Sequence, residues 1–167
     1  ENTFGVAPGG KNSRFSGPNP RAFPLSTLGN VRASLIPYKM DTPVGPWRAP
    51  YSNVHAFSSQ CFIHELATAA GRDHLDFLLE MFGDPRWLKQ GDIRSLNTER
   101  AVGVIKRVAQ EGKWGKPMGL REGQGLAFYF CHAAHVAELA EVSVDSANRV
   151  TLRKVTVVAD VGPIINR

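Results

Sequence analysis

At 167 residues, with 43% hydrophobic and 21% charged side chains, the chain suits one domain with a real core and is too short for two ordinary ones. No apolar run approaches the roughly 18 residues needed to cross a bilayer, and no signal peptide, twin-arginine leader or lipidation motif is present. The net charge of +5 is uneven: residues 1–50 hold six Lys/Arg against two acids, the remainder fourteen against thirteen. Without a Lys/Arg cluster or aromatic–basic interleaving, this is not the pattern of a nucleic-acid surface.

Residues 1–40 contain APGG, SGPNP and RAFP, and eight of the eleven prolines fall within residues 1–50. An irregular, Pro/Gly-rich N-terminal arm is expected over 1–40, with Leu28–Tyr38 able to supply one short strand. The next stretch, Thr42–Phe57 (TPVGPWRAPYSNVHAF), places Pro43, Gly45, Pro46 and Pro50 around Trp47 and Arg48. Each proline fixes its own φ and pushes the residue before it toward extended backbone, so the stretch reads as a rigid loop. It leads directly into a helical pattern. Arg48 therefore stands near a helix entrance, where unpaired N–H groups favour anions. Its fork of donors suits a phosphate, a carboxylate or an oxo group. The plainer alternative has Trp47 plugging a core edge while Arg48 pairs with a nearby acid.

The helical pattern runs from Val54 to Ala70, with Gly71 as its stop. Val54, Phe57, Cys61, Phe62, Leu66 and Ala69 fall within about half a turn of the wheel, which predicts a broad buried face. Glu65 lies inside that arc and is expected to need an internal salt bridge or backbone contact. Cys61 and Cys131 sit in apolar surroundings without a CxxC spacing. They read as buried thiols, and the pair excludes a cysteine-ligated zinc or iron–sulfur site within the chain.

Asp73, with Asp76 three residues on, marks the N-cap of a second helix through Met81 or Phe82, broken by Gly83-Asp84-Pro85. A loop over 84–96 carries Trp87 and two arginines. Asn97 or Thr98 caps a third helix to Glu111, with Val102, Ile105, Val108 and Ala109 on one side and Gly112 ending it. Lys113–Gly125 reads as a turn-rich connector. Leu126–Cys131 and Val150–Asp160 alternate as strands. Between them, Ala133–Glu141 has high helix propensity, yet Ser146-Ala147-Asn148-Arg149 forms a turn between two β-branched stretches. The expected class is α+β. An antiparallel sheet from the C-terminal third would carry two to three packed helices, with Val54–Ala70 lying on it and burying Phe57 and Phe62.

Most polar motifs read as structural. Gly123-Gln124-Gly125 lacks the pattern of a phosphate loop. His132 and His135 would share a face on a helix but point to opposite sides of a strand, and no third ligand is near. No GxSxG, HExxH or spaced nucleophile–base pair occurs. No catalytic residue and no metal ligand is assigned.

Three blocks carry a resemblance to a known family. GPWRAPYSNVHAF followed by QCFIHELATAAGRD is similar to the cofactor-facing segment of the molybdenum hydroxylase (xanthine oxidase) family, in particular its isoquinoline 1-oxidoreductase and aldehyde dehydrogenase branch. EGKWGKPMGLREGQGLAF with HVAELAEVSVD, and KVTVVADVGPIIN, agree with it in the same order. The similarity covers about Asp41 to Asn166. It makes Ala133–Glu141 a strand and residues 41–167 part of a molybdopterin-binding domain. It implies hydroxylation of an aldehyde or N-heteroaromatic carbon with oxygen from water, at a molybdenum held by the dithiolene of a pyranopterin. A glutamate would act as base, and electrons would leave through an iron–sulfur small subunit. Onto this chain the resemblance places only Arg48, Ala49 and Pro50, as the loop over the molybdenum. The family's glycine-rich glutamate block and further pterin contacts are not found here, and Arg167 stands where proline is usual. The expectation is an internal fragment of a longer subunit, inactive and without cofactor by itself, whose partners are the rest of that subunit and the iron–sulfur subunit. Bacterial cytoplasm and periplasm are both open. The alternative is a free-standing α+β anion-binding or protein-assembly module.

Overall fold

The computed structural model describes residues 22–34, 48 and 52–166. The chain separates into two compact units, Glu1–His55 and Ala56–Arg167. In the first, Phe23 is buried and Leu25–Thr27 form one 3-10 turn, with the Leu28 N–H donating back to the Leu25 carbonyl. Residues 28–34 form no strand; the rest of the expected Leu28–Tyr38 strand lies outside the described residues.

The second unit is α+β. Three α-helices occur in the order α1 (Ser52–Ala69, which begins in the first unit), α2 (His74–Glu80) and α3 (Thr98–Glu111). Strands β1 (Glu122–Cys131), β2 (Ala134–Val144) and β3 (Val150–Asp160) follow and form an antiparallel sheet in the order β1-β2-β3.

Local chemistry sets the helix ends. The α1 helix stops in a left-handed Gly71, with Gly71 N–H donating to the Thr68 carbonyl and Arg72 N–H to the Ala67 carbonyl. Asp73 caps α2 by accepting from the Leu75 and Asp76 N–H groups, and the Asn97 side chain caps α3 by accepting from Arg100 N–H. The α3 helix then packs on the sheet. It buries Thr98, Ala101, Val104, Ile105, Val108 and Ala109, while the expected Val102 is only half-buried.

Alternation explains why the alanine- and glutamate-rich segment is a strand. His135, Ala137, Leu139 and Glu141 are all buried on one face of β2, a period of two that no helix reproduces. On that face Leu126 pairs with Leu139, Phe128 with Ala137 and Phe130 with His135. Phe128 also meets Phe82 edge to face at 5.2 Å. The β1–β2 turn is two residues, His132 and Ala133, both at positive φ as a type I′ turn requires. The β2–β3 turn is held by Asp145, whose Oδ1 accepts from Ala147 and Arg149 N–H, with Asn148 left-handed.

Two expectations need correction. β1 begins at Glu122 rather than Leu126, because Gly123 and Gly125 pair with Val142 and Ala140 instead of looping. More consequentially, α1 turns its other side inward. Gln60, Ile63 and Ala67 are buried, whereas Val54, Phe57, Cys61, Phe62, Leu66 and Ala69 are all exposed. The two sets lie on roughly opposite sides of the wheel. Both sides of α1 carry apolar residues, so hydrophobic spacing alone does not choose between them. Phe57 and Phe62, 74% and 59% exposed, do not enter the core.

Candidate functional site

Of the Thr42–Phe57 stretch read as a rigid loop, Arg48 and residues 52–57 are described; Ser52–Phe57 already belong to α1, and Ala49 and Pro50 lie outside the described residues. Arg48 sits in a bend, exposed, and makes no hydrogen bond or ion pair with any described residue. The nearby-acid alternative therefore finds no partner among those residues. Glu65 is likewise exposed without an ion pair, so the internal salt bridge expected for it does not form among the described residues. The reason is the rotation of α1: the arc that contains Glu65 faces water. The same rotation exposes the Cys61 thiol, and Cys131 is half-buried; neither is the buried thiol expected. Among the described residues no three His, Cys, Asp or Glu side chains gather as a metal site. No helix among them is long and apolar enough to cross a membrane.

The two histidines separate as a strand requires. His132 is exposed in the β1–β2 turn. His135 is fully buried, and its Nε2 accepts the Asn97 N–H at 3.1 Å, a bond only the neutral ring can make. Burial, helped by the charge of Arg100, pushes its pKa down to about 4. Beside it, Arg100 grips Asp160 with two bonds of 2.6 Å, from Nε to Oδ2 and from Nη2 to Oδ1. That bidentate bond holds the Asp160 carboxyl down at about 2. The cluster ties α3 to the end of β3. Its histidine is sealed from solvent, so it serves the fold.

A second polar arrangement covers the edge of β1 that pairs with no other described strand. His74 on α2 donates from Nε2 to the Leu126 carbonyl at 2.9 Å, and Gln60 on α1 accepts the Phe128 N–H at 2.9 Å. An edge strand presents exactly such outward N–H and C=O groups, and these side chains satisfy two of them. Burial first of all holds the His74 pKa below its ordinary value.

Where α1 passes β1 a half-open groove of about 320 Å³ remains. Ala56, Phe57, Gln60 and Cys61 form its helix wall; Ala127, Phe128, Tyr129, Val136 and Glu138 line its sheet side. The strand register puts Ala127 opposite Glu138 and Tyr129 opposite Val136, on the sheet face turned away from α3. Burial raises the Tyr129 pKa, so its phenol stays protonated. The lining is mostly apolar with a few polar groups, the composition of a small-molecule site. Sequence reasoning did not find this groove. Its one visible signal was the small Ala127 amid larger strand residues.

Comparison of the sequence with models of known protein families returns no match, and neither does a search of curated proteins.

Proposed function

We propose that this chain is part of the molybdopterin-binding subunit of an oxidoreductase that hydroxylates an aldehyde or N-heteroaromatic carbon with water-derived oxygen. The observation that carries the proposal is the ordered run of three sequence blocks between Asp41 and Asn166, each resembling that family. Two structural features support it. Arg48 offers an exposed guanidinium with no described partner, which suits an anionic or oxo-bearing group. The α1 helix leaves Val54, Phe57, Phe62 and Leu66 exposed, an apolar surface that fits packing against more protein.

When bound, molybdopterin supplies the oxygen-transfer and electron-accepting chemistry. This chain's contribution is Arg48, with Ala49 and Pro50 beside it, donating hydrogen bonds to the cofactor or orienting substrate. The catalytic base and the remaining cofactor contacts belong to the rest of the subunit, and electrons leave to an iron–sulfur partner. The isolated chain is then inactive.

Intact mass, molybdenum content and pterin fluorescence of the native polypeptide test this. A longer polypeptide with stoichiometric molybdenum is expected, while the 167-residue chain takes up none. In the native enzyme, Arg48→Lys should lower kcat nearly as far as Arg48→Ala, on the order of a hundredfold, because a point charge does not replace an oriented fork. Both variants should keep the parental melting temperature. Stoichiometric molybdenum on the short chain overturns the fragment assignment. A native polypeptide without molybdenum overturns the oxidoreductase and favours the anion-binding or assembly module.

A further inference from the structure

We propose that the groove between α1 and β1 binds a small flat arylalkylamine, its ring over Ala127 and its ammonium group on Glu138. The proposal does not depend on the molybdenum reading: the groove is built within residues 56–138, does not use Arg48, and shares only Phe57 with the α1 surface named for that reading. The hollow exists because two of its lining residues are small: Ala56 in the helix wall and Ala127 in the strand floor. Phe57, Tyr129 and Val136 rise around them, and a volume of about 320 Å³ accommodates a fused double ring.

The polar groups select what the ring carries. Glu138 is exposed at the groove and has no ion pair or side-chain hydrogen bond with any described residue. Tyr129 is held protonated and contributes no charge. An acidic ligand would meet the Glu138 carboxylate without a compensating cation from the lining, whereas an ammonium group pairs with it. Gln60 supplies a further indication. Its Oε1 is committed to the Phe128 N–H, which fixes the amide, and the residue is more than nine-tenths buried. Its Nε2 nevertheless has no partner. That donor exposes under 1 Å² of surface, so the π-face of a flat ring, a weak acceptor, meets it only as the Gln60 amide shifts toward the groove.

Tryptamine is the probe, with indole-3-ethanol and indole-3-propionate as the neutral and anionic isosteres. Each is titrated into the whole 167-residue chain by calorimetry and by NMR of the Ala127 and Tyr129 resonances. Tryptamine should bind saturably, the alcohol about fivefold more weakly, as one partly exposed ion pair allows, and the propionate more weakly still. Glu138→Gln should erase the difference between amine and alcohol. Ala127→Leu fills the floor and should abolish binding of both. Should that variant fail to fold, alkylation of the exposed Cys61 thiol in the parent chain serves instead, and tryptamine should slow it. Equal affinity for the three probes, no binding at millimolar concentration, binding that survives Ala127→Leu, or Cys61 alkylation indifferent to tryptamine overturns the proposal.

Discussion

Replacing Gly112 by alanine sets two effects of opposite sign against each other. Gly112 follows α3 at φ −82° and ψ −6°, an ordinary right-handed conformation. On backbone grounds alone alanine should stabilise the protein there, by about 0.5–1 kcal/mol, because it has fewer unfolded conformations to lose. The packing opposes this. A Cβ at 112 would stand 2.8 Å from Leu139 Cδ1, 3.0 Å from Cδ2 and 3.0 Å from the Val108 carbonyl oxygen. Leu139 is fully buried, paired with Leu126 on one side and Thr156 on the other, so its methyl groups have little room to retreat. Overpacking a tight core costs about 1–3 kcal/mol. The clash should win, and Gly112→Ala should lose about 1–2 kcal/mol. The left-handed residue that stops α3 is instead its neighbour, Lys113 at φ 54°, with Trp114 N–H donating to the Ala109 carbonyl at 2.8 Å. Lys113→Gly relieves a strain of about 1–2 kcal/mol and gives some of it back in unfolded-chain entropy, for a net gain of about 0.5–1 kcal/mol. Urea midpoints at a common m-value measure both. A Gly112→Ala protein as stable as the parent would refute the close approach of α3 to Leu139.

The orientation of α1 predicts unequal costs along one helix: Phe57→Ala and Phe62→Ala should each change stability by less than about 0.5 kcal/mol, and Ile63→Ala should cost about 2–5 kcal/mol. A larger loss at Phe62 than at Ile63 in the same urea assay would reverse the helix. Acidification should act through His135. Its pKa is about 4 when folded against about 6.5 unfolded, so the unfolded chain binds more protons between those values and stability rises with pH across that window. The loss from pH 7 down to pH 4 is on the order of 3 kcal/mol, with His74 adding in the same sense. Asp160, depressed to about 2, instead contributes stability that is present above about pH 4 and lost as pH falls through 2. Melting temperatures at half-unit intervals should fall between pH 6.5 and 4 in the parent, and fall less steeply in His135→Gln; equal slopes would count against the neutral buried ring.

What was legible in the sequence is what local chemistry decides. Asp73 and Asn97 announce the starts of α2 and α3 because a capping side chain needs only the next three residues. Val150–Asp160 was legible from its alternation. Gly112 marked a helix end correctly for a reason the sequence does not contain: its hydrogen side is needed by Leu139, 27 positions later, and not by a left-handed turn. The candidate groove was hidden for the same reason. Its walls come from residues 56–61 and 127–138, and the hollow over Ala127 arises only when β1–β2 register and α1 placement are both known.

The rotation of α1 sets the hydrogen-bonding needs of the sheet against apolar burial. Turning Phe57, Phe62 and Leu66 inward would bury three large side chains, each worth about 1.5–3 kcal/mol. It would also carry Gln60 away from the Phe128 N–H, and a buried backbone donor left unmet costs about 1–3 kcal/mol. The inward side already holds Ile63 and Ala67, so the difference in apolar burial is smaller than the three side chains suggest. The edge of β1 must be closed by something polar, and Gln60 on α1 and His74 on α2 reach adjacent outward groups of the same strand, Phe128 N–H and Leu126 C=O. An aromatic face set against that edge has no acceptor to offer. The inward side of α1 thus meets the hydrogen-bonding demand of this edge, while the side with the larger apolar area is left outward.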